Sequence, residues 1–136
     1  MMIKQSLLCL SVLAIPLPSL AEEPRDFLDR YRLEARQADP AFSGFDGQRG
    51  RRFFDAPHGQ DWSCSSCHTE NPAATGTHVV TRKTIQPLAP AANPERFRQV
   101  AKVEKWFKRN CQDVLKRPCN AAEKGDVLTY LLSVGE

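Results

Sequence analysis

Methionine is nearly missing from this chain. The only two are Met1 and Met2, so no thioether is available to a metal anywhere after the second residue. Histidine is scarce as well, with His58, His68 and His78 making up the whole supply. There is no second C-x-x-C and no H-x3-5-H pair, which removes the four-ligand zinc sites of fingers and ribbons. No apolar run is long enough to cross a bilayer as a retained helix. Period-two alternation, internal repeats and low-complexity tracts are all wanting, which sets aside sandwiches, barrels and solenoids. Nor does one sign of charge dominate: 19 basic and 16 acidic residues leave +3, too little to point to nucleic acid.

What the chain does hold is Cys64-Ser65-Ser66-Cys67-His68, the C-x-x-C-H pattern of c-type haem attachment. Thiols at this spacing reach the two vinyl groups on one edge of a haem, and the imidazole that follows can ligate the iron. A thioredoxin-type dithiol belongs in a βαβ setting, and nothing strand-rich surrounds this one. The reading is one covalent haem c, with Cys64 and Cys67 as thioether partners and His68 as the proximal axial ligand.

The amino terminus agrees with that chemistry. Met1-Met2-Ile3-Lys4 is a short basic start, Leu7 to Leu17 an apolar stretch, and Ser19-Leu20-Ala21 a run ending in a small residue, together the form of a cleaved export signal. Residues 1–21 are expected to be removed, leaving a monohaem domain over 22–136 in the periplasm. Cys9 lies inside the apolar stretch and not at the cleavage point, so no lipid anchor is expected there. Setting it and the haem pair aside from the five cysteines leaves Cys111 and Cys119. An even remainder in an oxidising compartment favours a disulfide, here closing a small loop.

The domain is expected to be all-α, a single cytochrome c-like unit around its haem. Residues 22–37 read as a short helix, with Pro24 in the first turn and an apolar stripe of Phe27, Leu28, Tyr31 and Ala35. In a second helix, Gln48 to Phe54, Gly50 and Phe54 share one face. The glycine admits another backbone at close range while the phenylalanine fills the core. Gln86 to Asn93, which carries Pro87 and Pro90, is loop, suited to packing on the proximal imidazole or to crossing the surface. The best-defined helix is expected to start at Asn93-Pro94 and run to about Leu115 through Phe97, Val100, Val103, Phe107, Cys111 and Val114. Asn110 falls close in angle to Val103 and Trp106, a polar amide at the edge of an apolar stripe. Asn120-Ala121-Ala122-Glu123 opens the last helix as a capping box, and that helix is the natural partner of the one bearing Gly50 and Phe54. No strand is expected.

The sixth iron ligand decides the function. Many electron-transfer cytochromes c use Met there, and this chain has none to offer beyond residue 2. On the residues alone, His58, His78, a lysine, Asn110 or no protein group at all stay open.

Several stretches together resemble the SHP-type cytochromes c, named for the sphaeroides haem protein. They are Cys64-Ser65-Ser66-Cys67-His68-Thr69, Ile85-Gln86-Pro87-Leu88-Ala89-Pro90, Asn93-Pro94-Glu95-Arg96-Phe97, Ala101 to Phe107 with Arg109-Asn110-Cys111, and Glu123 to Leu132. The likeness extends over most of residues 22–136 and implies a class I cytochrome c fold. It also implies that Asn110 is the sixth ligand of the oxidised iron, that it leaves on reduction to open a site for oxygen or nitric oxide, and that the Cys111–Cys119 pair lies beside it. A dihaem cytochrome c and a membrane b-type cytochrome are the implied electron partners, with the protein itself a monomer. Chemistry makes the gate reasonable: a neutral amide is a weak ligand, better suited to hard ferric than to softer ferrous iron.

Two other functions share the motif. One is a plain electron carrier with His58 or His78 as sixth ligand. The other is an enzyme, a reductase or peroxidase for a small nitrogen or oxygen species, which would also want a distal acid or base. A redox and ligand-binding cytochrome is the expectation adopted over an enzyme. Lys102, Lys105, Lys108 and Arg109 could face haem propionates or an acidic partner, but are read first as a solvated helix face.

Overall fold

The computed structural model describes residues 22–135; the export signal expected over residues 1–21 lies outside them. The element order is α1 (Pro24–Ala38), α2 (Gly47–Asp55), α3 (Ser65–His68), β1 (Gly76–Thr77), β2 (Thr84–Ile85), α4 (Val100–Leu115) and α5 (Ala121–Ser133). Among the described residues no helix is long and apolar enough to cross a membrane.

Local chemistry sets the helix starts. At α1, Glu23 and Asp26 form a capping box with Pro24 in the first turn. Asp46 caps α2 by accepting from the amide of Arg49, and Asn120 with Glu123 makes the expected box at α5. The apolar spacing then decides which faces are buried. Phe27, Tyr31 and Ala35 of α1 point inward, as do Gly50 and Phe54 of α2, and both faces meet α5 at Val127, Leu128, Tyr130 and Leu131. Phe54 and Tyr130 lie edge to face with centroids 5.6 Å apart, and Phe97 closes the far side against Phe27 at 6.4 Å.

The closest contact is that of α2 with α5. A Cβ at Gly50 would overlap the carbonyl of Asp126, so only glycine lets the two backbones meet there. The same Asp126, 4% exposed, accepts from the Arg49 guanidinium through both carboxylate oxygens and from the backbone amide of Asp46 at 2.8 Å. A buried carboxylate is tolerable because it is fully answered.

α4 joins this body through side chains. Val103 is in the core, with Val100 and Phe107 packed against it. Tyr31 of α1 donates its hydroxyl hydrogen to Glu104 of α4 at 2.6 Å, and Lys124 of α5 donates to the other oxygen of Glu104, also at 2.6 Å. One carboxylate thus links three helices.

Two expectations are corrected here. The long helix does not begin at Asn93-Pro94 but at Val100. Residues 94–97 form turns, and just before them the Asn93 side chain donates to the carbonyl of Pro87 at 3.2 Å. Phe97 takes φ +56°, a left-handed conformation no helix can continue through, and by doing so it buries its ring. A strand pair also exists: Gly76 pairs with Ile85 and Thr77 with Thr84, antiparallel. It is too short for periodicity to reveal.

Gly50→Ala forces the Asp126 carbonyl away and is expected to lower unfolding free energy by about 3 kcal/mol, measured by urea titration of the haem-loaded protein. A pH dependence also follows. Burial pushes the Glu104 carboxyl up, but the hydrogen bonds from Lys124 and Tyr31 outweigh it and hold the group below its ordinary 4.5. Its stabilising contribution is therefore complete above that value and is lost as pH falls through the lowered one. Between about pH 5 and pH 3 the melting temperature should fall more steeply for wild type than for Glu104→Gln, which cannot titrate.

Candidate haem-attachment site

α3 is a single turn whose closure sets the spacing of the two thiols. The amides of Cys67 and His68 both donate to the carbonyl of Cys64, at 3.2 and 3.0 Å. Ahead of it, buried Ser63 is knotted to Ser66 by reciprocal bonds of 3.0 and 3.1 Å and shares its hydroxyl with Ser65 at 2.8 Å. The serines between the cysteines are thus structural, stiffening the turn that presents the thiols. Neither Cys64 nor Cys67 is in a disulfide. Burial pushes the Cys64 thiol up to about 12.

His68 ends the turn and the chain leaves it sharply, with Thr69 at φ +62° and its hydroxyl donating to the carbonyl of Asn71 at 2.7 Å. Its ring stands 6.3 Å from that of Phe54 and makes no hydrogen bond among those described. Burial, and then the charge of Arg96, push its pKa down to about 4, which leaves a neutral imidazole with a free lone pair near neutral pH. That is the form that ligates a metal. A Cβ at Gly76 would overlap the carbonyl of Cys67, so β1 lies directly on the back of the attachment turn.

The proline loop is folded onto the segment that follows His68. The amides of Leu88 and Ala89 donate to the carbonyl of Pro72 at 2.8 and 2.9 Å. Arg96, which the sequence reading did not single out, clamps the loop by donating to the carbonyls of Pro87 and Gln86 at 2.9 and 2.7 Å. It is half-buried and forms no ion pair among the described residues. No spacing rule marks an arginine that serves carbonyls.

The remaining candidates are spread over other elements. Asn110 is half-buried on α4, and its side chain makes no hydrogen bond among those described. Directly after it, Cys111 faces Cys119 at disulfide distance, with Cα atoms 5.6 Å apart. Of the neighbours expected around Asn110, Val103 is buried but Trp106 is 42% exposed, with the Arg109 guanidinium over its ring. His58 has Nε2 2.7 Å from the Phe53 carbonyl and its ring against that of Phe53. His78 accepts at Nδ1 from the amides of Val80 and Thr81, pinning the loop between β1 and β2. Lys102, Lys105, Lys108 and Arg109 are exposed.

No group of three or more His, Cys, Asp or Glu side chains fit to hold a bare metal ion occurs among the described residues. Two cysteines outside any disulfide on one stiffened turn, with a neutral imidazole next in sequence, are instead the donor set that suits a haem.

A family model described as a domain of unknown function (DUF1924) matches residues 40–131. Cytochrome c'' of Methylophilus methylotrophus is 39% identical over 108 residues, covering 76% of this chain and 75% of that one. The cytochrome c-type protein SHP of Cereibacter sphaeroides is 38% identical over 130 residues, 89% of this chain and 92% of that one. The structure of oxidised SHP, described as an oxygen-binding cytochrome c, has a TM-score of 0.69 at 35% identity, covering 82% of this chain and 96% of that one. A solution structure of the Methylophilus protein, concerned with the structural basis of haem-ligand detachment, has a TM-score of 0.72 at 36% identity, covering 83% and 94%.

Thioether bonds survive denaturation, whereas an axial ligand does not. Expressed alongside a haem-attachment system, the wild-type chain should retain haem on a denaturing gel, and a Cys64→Ala/Cys67→Ala variant should show no haem-stained band.

Proposed function

The chain belongs to the SHP-type family of monohaem c-type cytochromes, with one covalent haem c, and from that premise we propose that it is an exported redox protein whose Asn110 ligates the ferric iron and leaves on reduction to admit a small ligand such as oxygen or nitric oxide. Bound haem c supplies an iron that exchanges one electron and takes a diatomic ligand when its sixth position is free. Cys64 and Cys67 hold the porphyrin edge, and His68, kept neutral by burial, provides the proximal nitrogen.

The observation that carries the gate is the state of the candidate sixth ligands. Methionine is missing beyond residue 2, and although His58 and His78 each tie one ring nitrogen to backbone, which leaves the other nitrogen able to ligate, neither sits beside the cysteine pair as the family resemblance requires of the sixth ligand. Asn110 keeps its amide free of the described hydrogen bonds beside the Cys111–Cys119 pair. An amide oxygen is a hard, neutral, weak donor, so it favours ferric over ferrous iron. The description of one relative as oxygen-binding, and the study of ligand detachment in the other, support this reading.

A disulfide between Cys111 and Cys119 restrains the end of α4 that presents Asn110, and cutting it loosens the amide. The protein works in the periplasm after loss of residues 1–21, taking electrons from a dihaem cytochrome c and a membrane b-type cytochrome.

The test is optical. The oxidised protein should be six-coordinate and the reduced protein high-spin, binding carbon monoxide at once. Asn110→Ala should change the ferric spectrum and leave ferrous carbon monoxide binding intact. A low-spin spectrum in both states, unaltered in the variant, would overturn the proposal. Reducing the disulfide should speed the binding of external ligands to the ferric form.

A further inference from the structure

Asn110 lies on the one long helix that the tight α2–α5 packing does not hold. Its other fixed point is the network about Glu104, six residues earlier and so about 9 Å away along the axis. Both carboxylate oxygens of Glu104 are used, one accepting from Tyr31 and the other from Lys124. Tyr31 is fully buried. Lys124, 16% exposed, also sits over the rings of Tyr31 and Phe107, 5.2 and 5.9 Å from their centroids. Arg30 on α1 adds positive charge near Glu104.

We infer that the Tyr31–Glu104–Lys124 network is a positioning device for Asn110, fixing α4 against α1 and α5 and so setting how readily the amide leaves the ferric iron. This rests on the ligand role proposed for Asn110. The body of α1, α2 and α5 has its own core and the Arg49–Asp126 clamp, so the network can fail without dissolving the fold. On α4, Val100, Val103 and Phe107 add apolar packing, but among the described residues Glu104 is its only hydrogen-bonded tie to α1 and α5, and Cys111 ties its carboxy-terminal half to Cys119. A helix is stiff over two turns, so freeing Glu104 lets α4 tilt about its Cys111 end and changes the angle at which the Asn110 amide is presented. Both oxygens accept, so Glu104 acts as a carboxylate; a glutamine there would turn one of its two polar atoms into a donor facing another donor.

The experiment uses the haem-loaded full-length protein and the variants Glu104→Gln and Tyr31→Phe, the latter keeping the ring that the core needs. Imidazole is the probe for the ferric state, because it binds only when Asn110 steps aside. Carbon monoxide is the probe for the ferrous state, in which the amide has already left. Both variants should bind ferric imidazole about tenfold faster, or about 1.4 kcal/mol, with the ferrous carbon monoxide rate unchanged. Lys124→Arg should retain the wild-type rate, and Lys124→Met should match Glu104→Gln. Added to Asn110→Ala, Glu104→Gln should bring no further acceleration, since what it positions is gone. A lowered melting temperature with an unchanged ferric imidazole rate in Tyr31→Phe and Glu104→Gln would make the network structural only and overturn the inference, while leaving Asn110 ligation standing. An Asn110→Ala protein with a wild-type ferric spectrum would overturn both.

Discussion

The close approach of α2 to α5 at Gly50 is the constraint on which the remaining structure depends. Because no Cβ stands between them, the backbone of Asp126 can lie against α2, and its carboxylate can be taken up by Arg49 and the amide of Asp46. That contact sends Phe54 into the core, 1% exposed, where its ring meets Tyr130 on one side and His68 on the other. The attachment turn is thus placed by the crossing of the helix just before it with the last helix of the chain.

The two sides of the site are built to different standards of rigidity. On the proximal side the serine knot, the pressure of Gly76 on Cys67 and the Arg96 clamp on the proline loop leave α3 little freedom. The candidate distal ligand is carried by α4, which reaches the body through a few side chains and the Cys111–Cys119 pair. A fixed attachment turn and a more loosely hung Asn110 are what the proposed ligand exchange would require.

Much of the fold was legible where a local rule acts alone. The capping box of α5, Pro24 at the start of α1 and the apolar spacing of α1 and α2 all appear as expected. The start of α4 was misread because Asn93-Pro94 is a good local start signal, overridden here by Phe97, which turns left-handed to reach Phe27. The β1–β2 pair escaped because two residues per strand carry no period. The Glu104 network was invisible, since its partners are 73 and 20 residues away in the chain.

The sequence by itself determined the chemistry of attachment, because two thiols and an imidazole within five residues need only one helical turn to come together, and it excluded methionine ligation by simple absence. It also marked the glycine that a close crossing requires. Only the tertiary structure decided which polar groups remain unspent. It tied one ring nitrogen each of His58 and His78 to backbone, bound Glu104 into a three-helix link and left the Asn110 amide free of the described hydrogen bonds. Whether a side chain is free depends on neighbours brought from distant parts of the chain, and no local pattern encodes them.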